Sequence, residues 1–467
     1  MLKEKTYQIY KIFMAIAFIA IISCTNSKNK DKSKIESIKK PDKEQYIDIN
    51  FYEKNKISNE LANKAINLKN SSKITYWHQD IQSFSNIENI TKQFIYKKNN
   101  KNKEKSIFKF KKSIIAKIYS FYNKSQNFTF SPTIKNDIAY ILSPSGKLLA
   151  INLINGNKLW QRSVFNNIKI LYKAPKLSIS NNKIFAIIGD NTVKAFNIKN
   201  GNILWQKKLA TNITSIANNY NDLNDKLAIL TVDNRLYMLD GNDGSIIWNH
   251  FTNPNNVNIF NSSNPIFYQN ILLVGYGSGE LYALNIDDGK VLWNRNLNKN
   301  NVYNSDFYLS DIDANLLIKD DVIYAISNSG IFTAINIKSN QTLWQESISS
   351  ITNFWISDDF IYLIDNQSQL LTIDKNSGKI KQILQLPTLL KPKKPKSRII
   401  YNGILMADNK LIISDYNGKI TIIDPITNAI ITDYNSDLQH LHAPILVNNK
   451  IYIHYINKFS SGLAAIE

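Results

Sequence analysis

Much of the chain is written in short runs where apolar residues alternate with small, polar or aromatic ones, as in Leu281-Tyr282-Ala283-Leu284-Asn285. A period of two predicts strands, not helices. That run leads into Asp288-Gly289, where the glycine supplies the positive φ a tight hairpin requires, and then into a second apolar run ending at Trp293. Other β-rich runs come before such units, for example Lys183-Ile184-Phe185-Ala186-Ile187-Ile188 and Asp321-Val322-Ile323-Tyr324-Ala325-Ile326. Together they predict antiparallel meanders, not βαβ units.

The pattern repeats. GKLLAINLINGNKLW ends at Trp160, NTVKAFNIKNGNILW at Trp205, NRLYMLDGNDGSIIW at Trp248, GELYALNIDDGKVLW at Trp293 and GIFTAINIKSNQTLW at Trp344. Two degenerate copies, SQLLTIDKNSGKIKQ and GKITIIDPITNAIIT, end at Gln382 and Thr432. Successive ends are 38 to 51 residues apart, the length of one four-stranded propeller blade. The tryptophans are read as packing surfaces between neighbouring blades.

Asn448 to Ile453 and Gly462-Leu463-Ala464-Ala465-Ile466 begin a further repeat that lacks its Trp strand, while Ile74-Thr75-Tyr76-Trp77 is such a strand with no repeat before it. Joining the two predicts an all-β, eight-bladed propeller over residues 73–467, closed by the N-terminal strand so that no long edge stays open. Residues 24–72 are assigned to a flexible tether, because 25 to about 50 are rich in Lys, Asn, Asp, Ser and Glu. Ile57, Leu61, Ala65 and Leu68 recur at near-helical spacing and suggest one short helix there.

Residues 1–23 have the layout of a secretory signal peptide: Lys3, Lys5 and Lys11, then an apolar run from Ile12 to Ile22 too short to span a bilayer. Ile21-Ile22-Ser23-Cys24 resembles the lipobox of bacterial lipoproteins, which implies acylation of Cys24, palmitate included. Thr25, standing where an aspartate favours the inner membrane, points by the same resemblance to the periplasmic face of the outer membrane.

Charge and cysteine narrow the function. The 57 basic and 37 acidic residues give +20, but the lysines fall in the N-terminal segment and exposed turns, so a solvated basic surface is expected and no nucleic-acid partner. A single cysteine excludes an intramolecular disulfide and any multi-cysteine metal site. His440-Leu441-His442 is the only close histidine pair among five, and no third ligand is evident. Gly275-Tyr276-Gly277-Ser278-Gly279 sits between two strands and is read as a hairpin turn, not a phosphate cradle; Leu384 to Arg398 is read as a basic, Pro-rich mobile loop. No catalytic residue, metal or cofactor is assigned.

Copies of the form A-x-(N/D)-x-x-(D/N)-G-x-x-x-W resemble the PQQ-like propeller repeat, which enzymes and scaffolds share. With the lipobox, seven copies of which the last two lack Trp, and the orphan Trp strand, the chain resembles the BamB family of outer-membrane assembly lipoproteins over residues 74–467. The resemblance implies a non-enzymatic scaffold in the BAM complex that binds the periplasmic POTRA domains of BamA beside the other BAM components, near unfolded outer-membrane protein substrates. It places the contact in two segments. Val257-Asn258-Ile259-Phe260-Asn261-Ser262-Ser263-Asn264-Pro265 comes before blade four and Ser310-Asp311-Ile312-Asp313 before blade five. Val257 and Ile259 would give apolar contact and Asp311 and Asp313 would receive basic groups, while Phe260 stands where the family has arginine. The rival readings are a PQQ-dependent dehydrogenase and a propeller binding a small ligand or glycan in its channel. The first needs a divalent cation, an aspartate base and usually a vicinal disulfide, which one cysteine cannot form.

Overall fold

The alternating runs fold into eight antiparallel sheets that follow one another along the chain, as seen in a computed structural model. It describes residues 55–68, 76–77, 110–111, 132–142, 147–164, 176–180, 182–188, 191–219, 225–252, 263–298, 312, 314–391, 397–436, 438, 441–447, 450–457 and 460–466. These residues lie within one unit, Tyr52–Glu467. Cys24, Val257, Ile259, Phe260, Asp311, Asp313 and His440 lie outside the described residues.

Blade four shows the plan. Its strands Ile266–Tyr268, Ile271–Gly275, Glu280–Asn285 and Val291–Asn296 pair in sequence order, from innermost to outermost. Leu272, Leu273, Val274, Leu281, Ala283 and Leu284 are fully buried, whereas the outermost strand exposes most of its positions. Blade one (Thr133–Lys135 to Lys158–Ser163), blade two (Leu177–Ile179 to Ile203–Lys208) and blade three (Ile213–Asn218 to Ile246–Phe251) repeat the meander. So do blade five (Leu317–Lys319 to Thr342–Glu346), blade six (Trp355–Ser357 to Ile380–Gln385) and blade seven (Tyr401–Ala407 to Ala429–Asn435).

The tryptophans are structural, as the pattern predicts. Each indole N–H donates across a seam to a backbone carbonyl of the next blade: Trp160 to Ile198 at 3.2 Å, Trp205 to Gly241 at 3.0 Å and Trp248 to Ile286 at 2.9 Å. Trp293 reaches Ile337 at 2.9 Å and Trp344 reaches Lys375 at 2.8 Å. In blade six, Gln382 stands in the tryptophan's place and its amide donates to Ile426 of blade seven at 3.0 Å.

The eighth sheet holds Ile445–Val447, Lys450–Asn457 and Ser460–Ile466, with Phe110–Lys111 antiparallel to the last of them. The strand expected in that position was Tyr76–Trp77. It pairs instead with the innermost strand of blade one, Tyr76 opposite Lys135 and Trp77 opposite Ile134. A tryptophan in a short β-run does not choose between two open edges, and no Gly turn precedes Trp77 to tie it to the outer position.

Residues 55–68, assigned to the tether, lie against blade six. In place of a helix there is one 3-10 turn, Asn59–Leu61, and Leu61 and Ile66 are buried. At the other insertion, the base of the loop after blade six is tied by a bridge between Leu389 and Arg398.

Candidate partner-binding rim

The segments flagged before blades four and five leave and rejoin the sheets at the same end of neighbouring blades. The first departs after Phe251 and Thr252 and returns at Ser263; the second departs after Leu297 and Asn298 and returns through Ile312. Among their described residues the two are joined directly. The Ser263 N–H donates to the Ile312 carbonyl at 2.9 Å. Both side chains crowd Gly275, where an added Cβ would lie 2.6 Å from Ser263 Oγ and 2.9 Å from Ile312 Cγ2. Ile312, flanked by the two aspartates, is fully buried and belongs to the core between blades four and five.

An asparagine two residues before the innermost strand links successive blades. Asn264 N–H meets Asn315 Oδ1 at 3.5 Å, and Asn315 N–H donates to Asn353 Oδ1 at 2.9 Å. From blade two, Lys176 Nζ donates to Asn264 Oδ1 at 3.3 Å. Buried backbone donors need partners, and these side-chain acceptors also fix each loop's return to its neighbour.

The root of the first segment carries a surface that sequence reasoning missed. Phe251 is 67% exposed, and the Arg235 guanidinium lies 5.6 Å from its ring centroid, a cation–π contact. Counting outward from Trp248 by twos would have found it: Trp248 and His250 point inward, Asn249 and Phe251 outward. Beneath them His250 Nδ1 lies 2.8 Å from the Tyr276 hydroxyl, and the His250 ring sits 5.0 Å from that of Tyr282. Burial holds the His250 imidazole below its usual range, against a smaller opposing pull from Glu280; burial likewise raises the Tyr276 phenol. Both groups are therefore neutral near pH 7 and form a fixed polar floor. Asp233 accepts from Thr231 at 2.6 Å and Thr211 at 2.7 Å. Burial raises its carboxyl, but these donors outweigh that and hold it below the usual carboxylate range. The rim thus carries an ionised carboxylate, a guanidinium and an exposed aromatic ring, a mixture suited to gripping another protein.

Among the described residues no group of three or more His, Cys, Asp or Glu could hold a metal ion. His442, of the close histidine pair in the sequence, is buried, its ring 4.7 Å from that of the buried His454. Gly275 to Gly279 is a hairpin turn between Ile271–Gly275 and Glu280–Asn285, with the Gly279 N–H donating to the Tyr276 carbonyl at 3.0 Å. Among the described residues no helix is long and apolar enough to cross a membrane.

Comparison with known proteins agrees with the repeats. The family model described as outer membrane protein assembly factor BamB matches residues 60–219 and 178–384. A curated relative of that description from Yersinia pestis is 25% identical over 146 residues, 31% of this chain and 35% of the relative. One from Moranella endobia is 22% identical over 279 residues, 56% of this chain and 70% of the relative. The alignment with the first of these spans about a third of that protein's length. Among solved structures, BamB from Moraxella catarrhalis superposes with a TM-score of 0.60 at 17% identity, covering 77% of this chain and 99% of that one. A quinohemoprotein alcohol dehydrogenase from Comamonas testosteroni gives a TM-score of 0.54 at 11% identity, covering 72% of this chain and 73% of that one. At such identities the likeness is one of fold, common to BamB and a dehydrogenase. The family model, which runs over well more than half of the 467 residues, is what separates them: this chain belongs to the BamB family of outer membrane protein assembly factors.

Proposed function

We propose that the chain is a non-enzymatic scaffold of the outer-membrane β-barrel assembly machinery, held by lipid on Cys24 at the periplasmic face of the outer membrane. Its partner is BamA, gripped at the POTRA domains by the rim between blades three and five, beside the other BAM components. Val257, Ile259 and Phe260 give the apolar contact, Asp311 and Asp313 receive basic groups, and Phe251 and Arg235 extend the surface. The observation that carries this reading is the bond from Ser263 to the Ile312 carbonyl. It joins the two segments where they rejoin blades four and five, which supports a single partner reaching both. No bond is made or broken. Lipid anchoring raises the local concentration of scaffold and partner, and a fixed POTRA orientation favours insertion of β-barrel proteins. The ring is closed by the N-terminal segment through Phe110–Lys111.

The test is capture of purified BamA periplasmic domains by the full chain. Ile259→Ala with Asp313→Ala is expected to weaken capture about tenfold or more, since central contacts cost about 1–2 kcal/mol each when truncated. Capture at the wild-type level by the folded double variant would refute the rim assignment. The dehydrogenase reading is discriminated by adding PQQ and Ca²⁺ and following alcohol oxidation; turnover would favour it over the scaffold.

A further inference from the structure

Blade six combines two features that meet at one place. Its outermost strand has Gln382 where five other blades have tryptophan. Gln382 keeps the bond to the next blade, but a glutamine side chain fills far less of the seam than an indole. Second, the residue ending its third strand is Asp374, 2% exposed, whereas blades one, two, four and five have Asn152, Asn197, Asn285 and Asn336 there, and the equivalent Asp240 and Asp424 of blades three and seven are only half-buried. A buried carboxylate needs a counter-charge.

Residues 55–68 supply what is missing at both. Ile66 joins the core cluster that holds residues of blades six, seven and eight, with Leu68 packed against it. The Lys64 ammonium pairs with the Asp374 carboxylate and lies 5.5 Å from the centre of the Phe360 ring. Burial raises the Asp374 carboxyl, and the bonds from Lys64 and Ser377 outweigh this and bring it below its usual range. The segment's backbone is engaged as well. Ser58 N–H donates to the Ile380 carbonyl at 2.7 Å, and Lys381 Nζ donates to the Leu61 carbonyl at 2.7 Å. At the far end Asn55 Nδ2 donates to Asp365 Oδ2 at 2.7 Å and to Gln369 Oε1 at 3.1 Å; Glu60 pairs with Lys379 at 2.5 Å. A largely extended peptide is therefore read by an apolar pocket, a buried acid and backbone groups along one blade.

We propose that the blade-six edge is a peptide-binding groove selecting an extended segment with a lysine two residues before an aliphatic anchor, and that its resident ligand is this chain's own residues 55–68. The groove holds the segment as a strap across the seam that lacks tryptophan. Released, it accepts a peptide of the same chemistry in trans.

The experiment uses the full chain. Hydrogen exchange of the wild type is expected to show the Ser58 amide protected about a hundredfold or more over an unstructured peptide, protection lost when Lys64→Glu and Ile66→Asp are combined. A labelled synthetic peptide of residues 55–68 is expected to bind that released variant saturably, and the wild type at least about tenfold more weakly because its groove is filled. Adding Asp374→Asn to the released variant keeps the turn acceptor but removes the charge, and is expected to lower peptide affinity about tenfold. A Ser58 amide in the wild type that exchanges at the unstructured rate would overturn the proposal. So would a released variant that is folded by tryptophan fluorescence and does not take the peptide. Should the released variant not fold, the wild-type exchange rate still decides.

Discussion

At the residue scale, the glycine in four of the turns before an outermost strand answers to two constraints at once. Gly244 has φ +77°, and a Cβ added there would lie 2.7 Å from the Trp205 ring of the blade before it. Gly201, Gly289 and Gly378 meet Trp160, Trp248 and Trp344 in the same way. Blade five has Asn340 at the equivalent place, with φ 57°, so the turn conformation alone does not demand glycine. Gly244→Ala is therefore expected to cost about 2–4 kcal/mol in urea denaturation, combining left-handed strain with overpacking against the indole. Asn340→Gly is expected to change stability by well under about 1 kcal/mol. Equal losses at the two sites would mean the ring contact contributes nothing. The positive φ was legible in the sequence; the approach of the ring was not, because it joins residues 34 to 41 apart whose proximity only the finished ring creates. The same gap hid Ile312, whose place between two acidic residues gives no sign that it is buried against Gly275.

Among elements, the outermost strand is where the period-two pattern breaks down, for an identifiable reason. In blades one to seven the pairing of third and fourth strands shifts register once, as between Ala283, opposite Trp293, and Leu284, opposite Val291. This bulge inserts one residue and turns two consecutive aliphatics outward. Ile203 and Leu204, Ile246 and Ile247, and Val291 and Leu292 are all more than 40% exposed. The indole then points back into the seam. Two effects hold it there, ring burial and the N–H bond, and magnitudes separate them. Trp205→Phe keeps most of the ring but loses the donor to Gly241, for an expected cost of about 1–2 kcal/mol. Trp205→Gln keeps a donor, as Gln382 does in blade six, but loses the ring, for about 3–5 kcal/mol. Chemical denaturation of the two variants gives the order; a costlier phenylalanine would show that the hydrogen bond dominates. The strap is the element the sequence concealed best. Its apolar spacing suggests a helix, yet Leu61 and Ile66 are held by blade six in one 3-10 turn and extended chain, because bonds from a neighbouring strand outweigh the weak preference of so short a helix.

On the scale of the whole molecule, eight sheets were legible because the repeat is periodic, while the placing of the N-terminal strands was not, since pairing between distant segments leaves no local signature. The last blade also carries a group that links the stability of the whole ring to pH. His454 lies on its second strand, opposite Leu463 and with its ring tilted 35° against that of His442, and its backbone carbonyl accepts from the His442 N–H at 2.9 Å. Burial, reinforced by the neighbouring imidazole, holds His454 well below its ordinary 6.5. The unfolded chain therefore binds this proton more readily than the folded one. Stability is fully present above about pH 6.5 and falls as pH drops below it, until the folded form itself takes up the proton. The carboxyls held below their ordinary 3.8, among them Asp233, Asp374 and Asp424, weaken folding only in solution more acidic than about pH 5, while Glu346, Asp365 and Asp415, which burial raises, act in the opposite direction to histidine. His250 is lowered as well and contributes in the same direction, so the comparison must be with a variant. His454→Leu places a leucine where blade three has Leu230 and is expected to show a melting temperature that falls less over about pH 5 to 6.5 than the wild type's, the difference between the two being several degrees. Because neighbouring blades share cores, loss of the last blade's packing should appear in one transition common to tryptophan fluorescence and circular dichroism. Parallel pH profiles for wild type and variant would show that protonating His454 costs the ring nothing.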